Sequence, residues 1–453
     1  MTVLTLAAEG RLDGLDPELR RHLLDRSPAG EEDLRSATRD ILERVRTGGD
    51  EALREFARRF DGVEMAALDV PREAWEEALD GLDPVVREAL ERAARNVESF
   101  HRALIPDEVV VEVEPGLTLG RRFVPLDAVG VYAPGGRAAY PSSVLMGVVP
   151  ARAAGVREIV VCSPPGADGR PSNVVMAAAA LGGATRLVAA GGAGAVGAMA
   201  FGTGTVPRCD AIVGPGNRWV LEAKRQVAGQ VIIDSPAGPS EVLVLSEDGA
   251  ARPEWLASEL VAQAEHDPDA AVAFVTTSPA QLSRVREALA LQVAASPRRE
   301  VIEAALSTQG ALLLAEDRRA MLAFAREYAA EHLSLCTSDP AADLEEIPTA
   351  GTVFLGDRST VAFGDYMTGA NHVLPTAGTA RSFSGLSTLN FLRSYTWQDI
   401  SPEAAASLAE PVAVLAESEG LPGHATAARM RGRPAVAGRG GGSGDGPSGA
   451  GAS

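Results

Sequence analysis

A glutamine and a histidine near the end of one helical segment are the first side chains that could hold a single ion. Gln263 and His266 are three positions apart in the segment QAEHDP, so on a helix they lie on the same side. Asp267-Pro268 then ends that helix, because the residue before a proline avoids helical backbone. Glutamine is an uncommon zinc ligand beside cysteine, histidine and the carboxylates. The spacing leaves two interpretations open, a metal site and an ordinary polar helix end.

An adjacent acid and imidazole, Glu331-His332, have the chemistry for proton transfer near neutral pH. Histidine titrates in that range, and burial can raise the pKa of a glutamate towards it. The pair follows the apolar helical stretch RAMLAFAREYAA. Neighbours on a helix point about 100° apart, so both side chains reach one site only at a helix end or a turn. A catalytic pair and a simple helix terminus both fit the pattern.

A long polar loop after the apolar segment TVFLG offers further candidate ligands. It has the sequence GDYMTGANHVLPTAGTA and carries Asp365 and His372. A carboxylate at a strand end is a credible metal ligand, whereas His372 suits either ligation or hydrogen bonding within the loop. Glu419 and His424, in the turn EGLPGH, form another acid and imidazole. Taken alone, that last pair is a weak indication of function.

Three glycine-rich turns could bring backbone N–H groups close to phosphates. They are VYAPGGRAAYPSS, VGPGN and GAGAVG, the last of which matches G-x-G-x-x-G through Gly192, Gly194 and Gly197. The acid expected about 20 residues after a dinucleotide fingerprint is not clearly present, since Asp210 precedes its strand. Tight packing of a glycine-rich helix start is the alternative for GAGAVG. Three such turns together favour a nucleotide.

Composition and charge exclude several classes of protein. The 453 residues contain 42 Lys and Arg against 61 Asp and Glu, a net charge of −19, so we expect no nucleic-acid partner. Three widely spaced cysteines cannot form a disulfide framework, which fits a reducing compartment. The N-terminus lacks the features of a signal peptide, and glycines interrupt the most apolar region, 174–200. We expect a cytoplasmic protein without membrane contact.

The elements that must position these residues are a helical start and two alternating runs. Up to about residue 104, apolar side chains recur at helical spacing among charged ones, and we predict helices there with His22 and His101 exposed. From about 117 to TVFLG, short apolar runs alternate with helix-like segments, which predicts an α/β protein with two open Rossmann-like parallel sheets. Ligands in such folds sit at the carboxyl ends of the strands. Residues 399 to about 432 again have a helical pattern.

Eight segments resemble those of the histidinol dehydrogenase family. They follow the family's order and spacing, and the resemblance extends over about residues 25 to 430. The segments are GVYAPGGRAAYPSSVLM, IVGPGNRWVLEAKRQV, AGPSEVLV, AQAEHDPDA, EHLSL, GDYMTGANHVLPTAGTAR, SGLS and EGLPGHA.

The chain is accordingly expected to have two α/β domains with small helical segments at either end. We divide it into an N-terminal helical segment 1–26, a first α/β domain 27–131 plus 243–386, an inserted second α/β domain 132–242, a C-terminal helical segment 387–432 and a disordered tail 433–453. The family implies a homodimer with intertwined C-terminal segments, so that Glu419 and His424 would serve the site of the other subunit.

The resemblance implies a zinc enzyme that oxidises L-histidinol to L-histidine through the aldehyde, the end of histidine biosynthesis, with two successive hydride transfers to NAD. One Zn²⁺ per subunit would position the substrate more than act as a Lewis acid. His332 would be the general base, and Glu331 would activate the attacking water. The implied zinc ligands are Gln263, His266, Asp365 and His424. The implied substrate contacts are Ser240, Gln263, His266, His332, Asp365, Glu419 and His424, and the implied cofactor contacts are Tyr132, Gly194 and Asn217.

Gly194 is the main departure from the family, which usually has a glutamine there in contact with the cofactor. The G-x-G-x-x-G match is then an accident of this replacement. The alternative function is a related NAD- and zinc-dependent dehydrogenase of another polar alcohol, although Glu331, His332, Glu419 and His424 together favour histidinol. From a different class, the hypotheses are a zinc hydrolase and a nucleotide-binding regulatory protein.

Overall fold

The computed structural model describes residues 4–26, 32–135, 139–235 and 238–433. Its strands are β1 (Ala8–Arg11), β2 (Val109–Glu114), β3 (Leu117–Pro125), β4 (Ala128–Tyr132), β5 (Glu158–Ser163), β6 (Arg186–Ala189), β7 (Ala211–Val213), β8 (Ile232–Ile233), β9 (Glu241–Ser246), β10 (Ala271–Thr276), β11 (Gly310–Leu314), β12 (His332–Cys336), β13 (Thr352–Leu355) and β14 (Leu392–Ile400).

The helices cover the sheets and connect their strands. They are α1 (Pro17–Leu24), α2 (Glu32–Phe56, kinked at Gly49), α3 (Arg72–Asp80), α4 (Pro84–Ala103), α5 (Pro141–Ala154), α6 (Asn173–Gly182), α7 (Gly192–Phe201), α8 (Arg218–Val227), α9 (Pro253–Ala264), α10 (Pro279–Ala295), α11 (Arg299–Gln309), α12 (Arg318–Tyr328), α13 (Pro340–Glu346), α14 (Val361–Tyr366), α15 (Pro402–Ser418) and α16 (Pro422–Arg431).

Two parallel sheets form the centre of the fold, and the predicted α/β class is confirmed. One sheet has six strands in the order β1-β11-β10-β9-β12-β13, and the other has five in the order β6-β5-β4-β7-β8. Apart from the added edge strand β1, both follow the strand order 3-2-1-4-5, which is that of a doubly wound sheet. The central strands β9 and β10 are buried throughout, as expected for a sheet covered on both faces.

The helices of the N-terminal part belong with the five-stranded sheet. Leu42 and Phe56 of α2, Trp75 of α3 and Val97 of α4 lie in the same apolar core as that sheet. Residues 4–24, in contrast, belong with the six-stranded sheet, because β1 pairs with β11 at its edge. The division of the chain into domains, with 27–131 joined to 243–386, stays a prediction. The sequence pattern predicts helices at the start of the chain and does not indicate strand β1, because its four residues, AEGR, show no apolar alternation.

A second compact unit consists of residues 106–124 and, among the described residues, 394–433. It contains a sheet in the order β14-β3-β2, in which β2 and β3 are antiparallel, and the helices α15 and α16, which meet through Ala413, Ala416 and Ala425. Gly120 is required on β3, since a Cβ there would lie 2.0 Å from the Trp397 ring. The C-terminal helices agree with the sequence pattern, whereas β14 does not. The predicted tail lies outside the described residues apart from Arg433.

Within the described ranges, no helix combines the length and the apolar character needed to cross a membrane.

The two histidines predicted at the surface have different environments. His22 is exposed, as predicted, but the prediction for His101 was wrong, because its side chain is completely buried. His101 continues the buried stripe of α4 through Ala93 and Val97, each four positions apart. Neither ring nitrogen has a hydrogen-bond partner among the described residues. Burial lowers the pKa of His101 to about 4.

Replacement of His101 should change how stability depends on pH. The unfolded chain takes up a proton at this imidazole near its ordinary pKa of 6.5, whereas the folded protein resists until about pH 4, so stability is lost as the pH falls between these values. His101→Leu should remove on the order of 1 to 2 kcal/mol of the loss between pH 7 and 5. Urea unfolding at both pH values measures it, with the exposed His22→Leu as matched control. An unchanged pH dependence in His101→Leu would contradict the assignment.

Candidate active site

The predicted acid–imidazole pair lies at the amino end of the six-stranded sheet. Glu241 and His332 are the first residues of the neighbouring strands β9 and β12, and the parallel register pairs His332 with Val242. These candidate residues therefore do not lie at the carboxyl ends of the strands, where ligands are expected in such sheets. The strand order nevertheless reverses between β9 and β12, which is the topological switch point.

Glu331 is buried between the end of α12 and the start of β12. Its Oε2 accepts a hydrogen bond from the Glu241 N–H at 2.8 Å, and its own N–H donates to Glu241 Oε1 at 3.1 Å. Burial raises the pKa of Glu331, and the neighbouring His332 only partly offsets this effect. A carboxyl group with a raised pKa is suited to exchanging protons near neutral pH.

His332 is held in one tautomer by the backbone of β9. Its Nδ1 lies 3.0 Å from the carbonyl oxygen of Glu241. Because a carbonyl only accepts, Nδ1 carries the hydrogen and Nε2 keeps its lone pair in the neutral ring. Nε2 is buried, has no hydrogen-bond partner in the described part of the chain, and lies 3.5 Å from Asp365 Oδ1. Burial alone would lower the pKa of His332, but the Glu331 and Asp365 carboxylates outweigh it and the pKa is raised.

Asp365 is brought to His332 by the short helix α14. Burial alone would raise its pKa, but His332, with smaller effects from His372 and His266, leaves the pKa lowered. His372 lies with Nδ1 2.8 Å from the Asp365 carbonyl oxygen, to which it donates, and with Nε2 3.3 Å from Ser143 Oγ. His372 therefore forms hydrogen bonds that fix the backbone of the loop at Asp365. Asp365 itself remains anionic and available to a cation.

Gln263 has a buried side chain whose polar atoms are free to bind a ligand. It is buried in the last turn of α9, and neither its oxygen nor its nitrogen has a hydrogen-bond partner among the residues described. Leaving such a group unpaired costs about 1 to 3 kcal/mol. His266 is exposed and lies just beyond the helix, which ends at Ala264, so the two residues do not share the predicted helix face.

Glu259 is a residue that the sequence analysis missed. It lies one turn before Gln263 on α9, is buried, and accepts a hydrogen bond from the Val361 N–H at 2.9 Å. Since Val361 begins α14, Glu259 ties the helix that carries Gln263 to the helix that carries Asp365. An acid four positions before Gln263 on an otherwise apolar helix face was the available signal.

Three candidates from the first and second units complete the placement. Ser240 is half-buried directly before β9, and its carbonyl accepts from the Ala271 N–H. Glu419 and His424 both lie in the second unit, where both are exposed. Among the residues that the structure describes, no three His, Cys, Asp or Glu side chains form a group that could hold a metal. The predicted ligand set includes a glutamine, which is outside those four residue types.

The predicted cofactor contacts lie at the carboxyl ends of the five-stranded sheet. Tyr132 ends β4, its hydroxyl accepts from the Gly192 N–H at 3.1 Å, and Gly192 begins α7. Asn217 follows the adjacent strand β7 and caps α8, its Oδ1 accepting from the Trp219 and Val220 N–H groups. The order of this sheet reverses between β4 and β7. The predicted cofactor contacts therefore lie where a dinucleotide is expected to bind in such a sheet, at the carboxyl ends of the strands beside the switch point. The turn VYAPGGRAAYPSS lies partly outside the described residues.

Gly194 faces a neighbouring helix. A Cβ there would lie 3.0 Å from Phe56 Cδ2 and 3.5 Å from Leu53 Cδ2, both on α2. At Gly197, one turn on, a Cβ would lie 3.1 Å from Leu42 Cδ2. Both glycines therefore allow α7 and α2 to approach closely, which is the packing alternative for the GAGAVG segment.

Comparison with known proteins establishes the family. The family model for histidinol dehydrogenase matches residues 24–432. The histidinol dehydrogenase of Methanothermobacter thermautotrophicus is 47% identical, with 90% of this chain and 96% of the relative covered. That of Natronomonas pharaonis is 49% identical, with 92% and 98% covered. The crystal structure of the Elizabethkingia anophelis enzyme has a TM-score of 0.89 at 32% identity and covers 94% of this chain and 98% of its own.

The chain belongs to the histidinol dehydrogenase family. It is therefore an oxidoreductase of histidine biosynthesis.

In this histidinol dehydrogenase fold, a buried ion pair holds the loop that leads to Asn217. Lys224 Nζ pairs with the Asp234 carboxylate and donates to the Gly214 carbonyl at 3.0 Å, while Asp234 Oδ2 accepts from the Gly214 N–H at 2.8 Å. Gly214 has φ +114°, and a Cβ would lie 2.1 Å from the Tyr132 carbonyl oxygen. The loop is therefore fixed against the end of β4.

Removing the lysine should destabilise the protein strongly. Lys224→Met leaves Asp234 as a buried charge without a counter-charge, which costs about 3 to 5 kcal/mol. Urea unfolding at pH 7 measures the change. The control Arg299→Met removes an exposed pair with Glu303 and should cost less than about 1 kcal/mol. Equal, small losses in both variants would refute a structural role for the buried pair.

Proposed function

We propose that the protein oxidises L-histidinol to L-histidine through the aldehyde, with zinc bound and with two successive hydride transfers to NAD. The observation that supports this most directly is the state of His332. Its Nδ1–H is committed to the Glu241 carbonyl, and its unpartnered Nε2 lies beside Asp365. In its neutral form, an imidazole fixed in this way presents one lone pair in one direction, which is what a general base requires, and the raised pKa makes it a stronger base.

In the first oxidation, His332 Nε2 takes the proton of the substrate hydroxyl, and a hydride leaves the carbon that carries this hydroxyl. In the second oxidation, water must add to the aldehyde carbon before another hydride can leave. Glu331 would accept a proton from that water, a role supported by its position beside His332 and by its raised pKa. Once it has released its first proton to solvent, His332 can deprotonate the hydrated aldehyde, so this base serves both oxidations and Glu331 serves the hydration between them.

The donor atoms present fit a zinc ion. Gln263 supplies a buried amide oxygen without a partner, Asp365 supplies an anionic carboxylate, and His266 supplies an exposed imidazole. The fourth ligand, His424, would come from the second unit of the other subunit. When bound, zinc would position the imidazole and amine of the substrate. Ser240 and Glu419 would contact the same substrate.

The cofactor would bind at the five-stranded sheet. The position of Gly192 at the start of α7 is open, with nothing within 4 Å of where a Cβ would stand, so a ligand could approach its backbone. Tyr132 and Asn217 flank the switch point of that sheet. When bound, NAD would accept the hydride in each oxidation. Gly194 would influence the cofactor only through the packing of α7.

The reaction stoichiometry tests this function. Purified protein with zinc and L-histidinol should form about two NADH for each histidine produced, lose this activity on chelation and regain it with zinc. His332→Asn should keep the zinc and lower kcat by roughly 100- to 10,000-fold, because it removes a base and not a ligand. Zinc content and NADH absorbance are the measurements.

Two results would contradict the proposal. Full turnover by His332→Asn would show that His332 is not the general base. If zinc-bound protein forms NADH only from another polar alcohol, the alternative substrate is favoured.

The second unit is suited to pairing with another copy of the chain. It exposes apolar side chains on strand β2 and on helix α15, and each of them is more than a third exposed. They are Val109, Val110, Val111, Val113, Val412, Val414 and Leu415. Patches of this kind mark interaction surfaces. We assign this one to a homodimer with intertwined C-terminal segments.

The three cysteines are free and buried, which is compatible with a cytoplasmic enzyme.

Complementation between two inactive variants tests whether subunits share sites. If His424 serves the other subunit, mixing His332→Asn with His424→Ala should give heterodimers in which one site has both histidines. Random mixing should then restore about a quarter of the wild-type activity. NADH formation after co-expression measures this, with each variant alone as control. Activity no higher than that of the separate variants would place His424 in its own subunit's site.

A further inference from the structure

We propose that Arg26 and Glu241 form a buried positioning pair that sets the geometry of Glu331 and His332. The catalytic roles of those two residues rest on the function proposed above, whereas their positioning by Glu241 rests on contacts within the protein. Arg26 lies outside the motifs of the sequence, and Glu241 lies in the segment AGPSEVLV without a role assigned to it; both are almost fully buried.

Glu241 contacts both catalytic residues through three different groups. Its main-chain N–H donates to the Glu331 carboxylate at 2.8 Å, and its carbonyl accepts from His332 Nδ1 at 3.0 Å. Its side-chain Oε1 accepts from the Glu331 N–H at 3.1 Å. A small displacement of this one residue would therefore move the acid and alter the orientation of the base together.

Arg26 fixes the carboxylate of Glu241 from the other side. Its Nε and Nη2 donate to the two carboxylate oxygens at 2.6 and 3.0 Å, a two-point contact that fixes direction as well as distance. Nη2 also donates to the Tyr328 carbonyl at 2.7 Å, and the guanidinium lies 3.6 Å from the centre of the Tyr328 ring. Since Tyr328 ends α12, Arg26 connects the start of β9 to the element that delivers Glu331.

The remaining contacts make the pair rigid. Nη1 of Arg26 donates to the Leu23 and Leu24 carbonyls at 2.9 and 3.2 Å, and Oε2 of Glu241 accepts from the Ala377 N–H at 3.2 Å. Such a pair is costly to bury, and apolar residues of similar size often stabilise a protein equally well. Glu241 occupies the first position of a strand, EVLVLS, that is otherwise mostly apolar. Its reciprocal bonds with Glu331 give it a role in geometry that apolar side chains could not fill.

The charge of Arg26 also separates the roles of the two glutamates. The guanidinium is committed to the Glu241 carboxylate through both of its oxygens, which fixes the direction in which that carboxylate accepts hydrogen bonds. The carboxylate of Glu331 receives no hydrogen bond from Arg26 among those that the structure shows, so it keeps its capacity to exchange a proton.

The test uses zinc-loaded full-length protein with ¹⁵N-labelled histidine. Six histidines make the spectrum tractable, and His332→Asn identifies the resonances of His332 by their disappearance. The variants are Arg26→Lys, which keeps the charge but loses the two-point contact, and Glu241→Gln, which keeps the shape but loses the charge. Arg20→Met is the matched control, since Arg20 pairs with Glu327 in a half-exposed position away from Glu241.

We expect both variants to fold and to shift or broaden the His332 resonances recorded without substrate. They should lower kcat for histidinol oxidation by roughly 10- to 100-fold, as a misplaced catalytic group does, with KM changed less than about twofold. Arg20→Met should leave both measurements unchanged.

Two results would overturn the proposal. One is wild-type His332 resonances and kcat in folded Arg26→Lys and Glu241→Gln; the other is a lowered melting temperature with unchanged His332 resonances, which would reduce the pair to a structural role. If the wild-type enzyme forms no NADH from histidinol, the proposed function fails, but the substrate-free spectra still decide whether Glu241 positions His332.

Discussion

The parallel pairing of β9 with β12 is the constraint on which the active site depends. Its register sets His332 beside Val242, so the carbonyl of Glu241 comes within hydrogen-bond distance of the imidazole and its N–H reaches the Glu331 carboxylate. Main-chain groups in a buried sheet have little freedom to move, and they hold a tautomer more firmly than a flexible side chain would. The imidazole that we propose as the base is therefore oriented by the fold itself.

The two sheets share a strand order but use opposite ends. The six-stranded sheet presents the candidate catalytic residues where β9 and β12 begin, whereas the five-stranded sheet presents Tyr132 and the Gly214 loop where β4 and β7 end. Helix α9 runs back from the end of β9, so its last turn returns Gln263 towards the amino ends of the strands. In the proposed function, one sheet would bind the substrate and the other the cofactor.

The sequence predicts the alternation of strands and helices and the main motifs well, because both depend on local patterns. It does not predict long-range partners. Arg26 lies 215 positions from Glu241, and nothing near either residue indicates the other. His101 was placed at the surface because histidine usually lies there, although its spacing from Val97 indicates the buried face. Gly194 matched a fingerprint, but its close approach to Phe56 is visible only once α2 and α7 are packed.

The most direct test of the central claim is the position of the metal. Diffraction data collected on either side of the zinc absorption edge, from crystals grown with zinc and L-histidinol, locate the ion independently of activity. We expect one strong anomalous peak per subunit, bonded to the Gln263 oxygen and the Asp365 carboxylate, with the substrate hydroxyl near His332 Nε2. A peak elsewhere, with Gln263 and Asp365 free of metal, would contradict it.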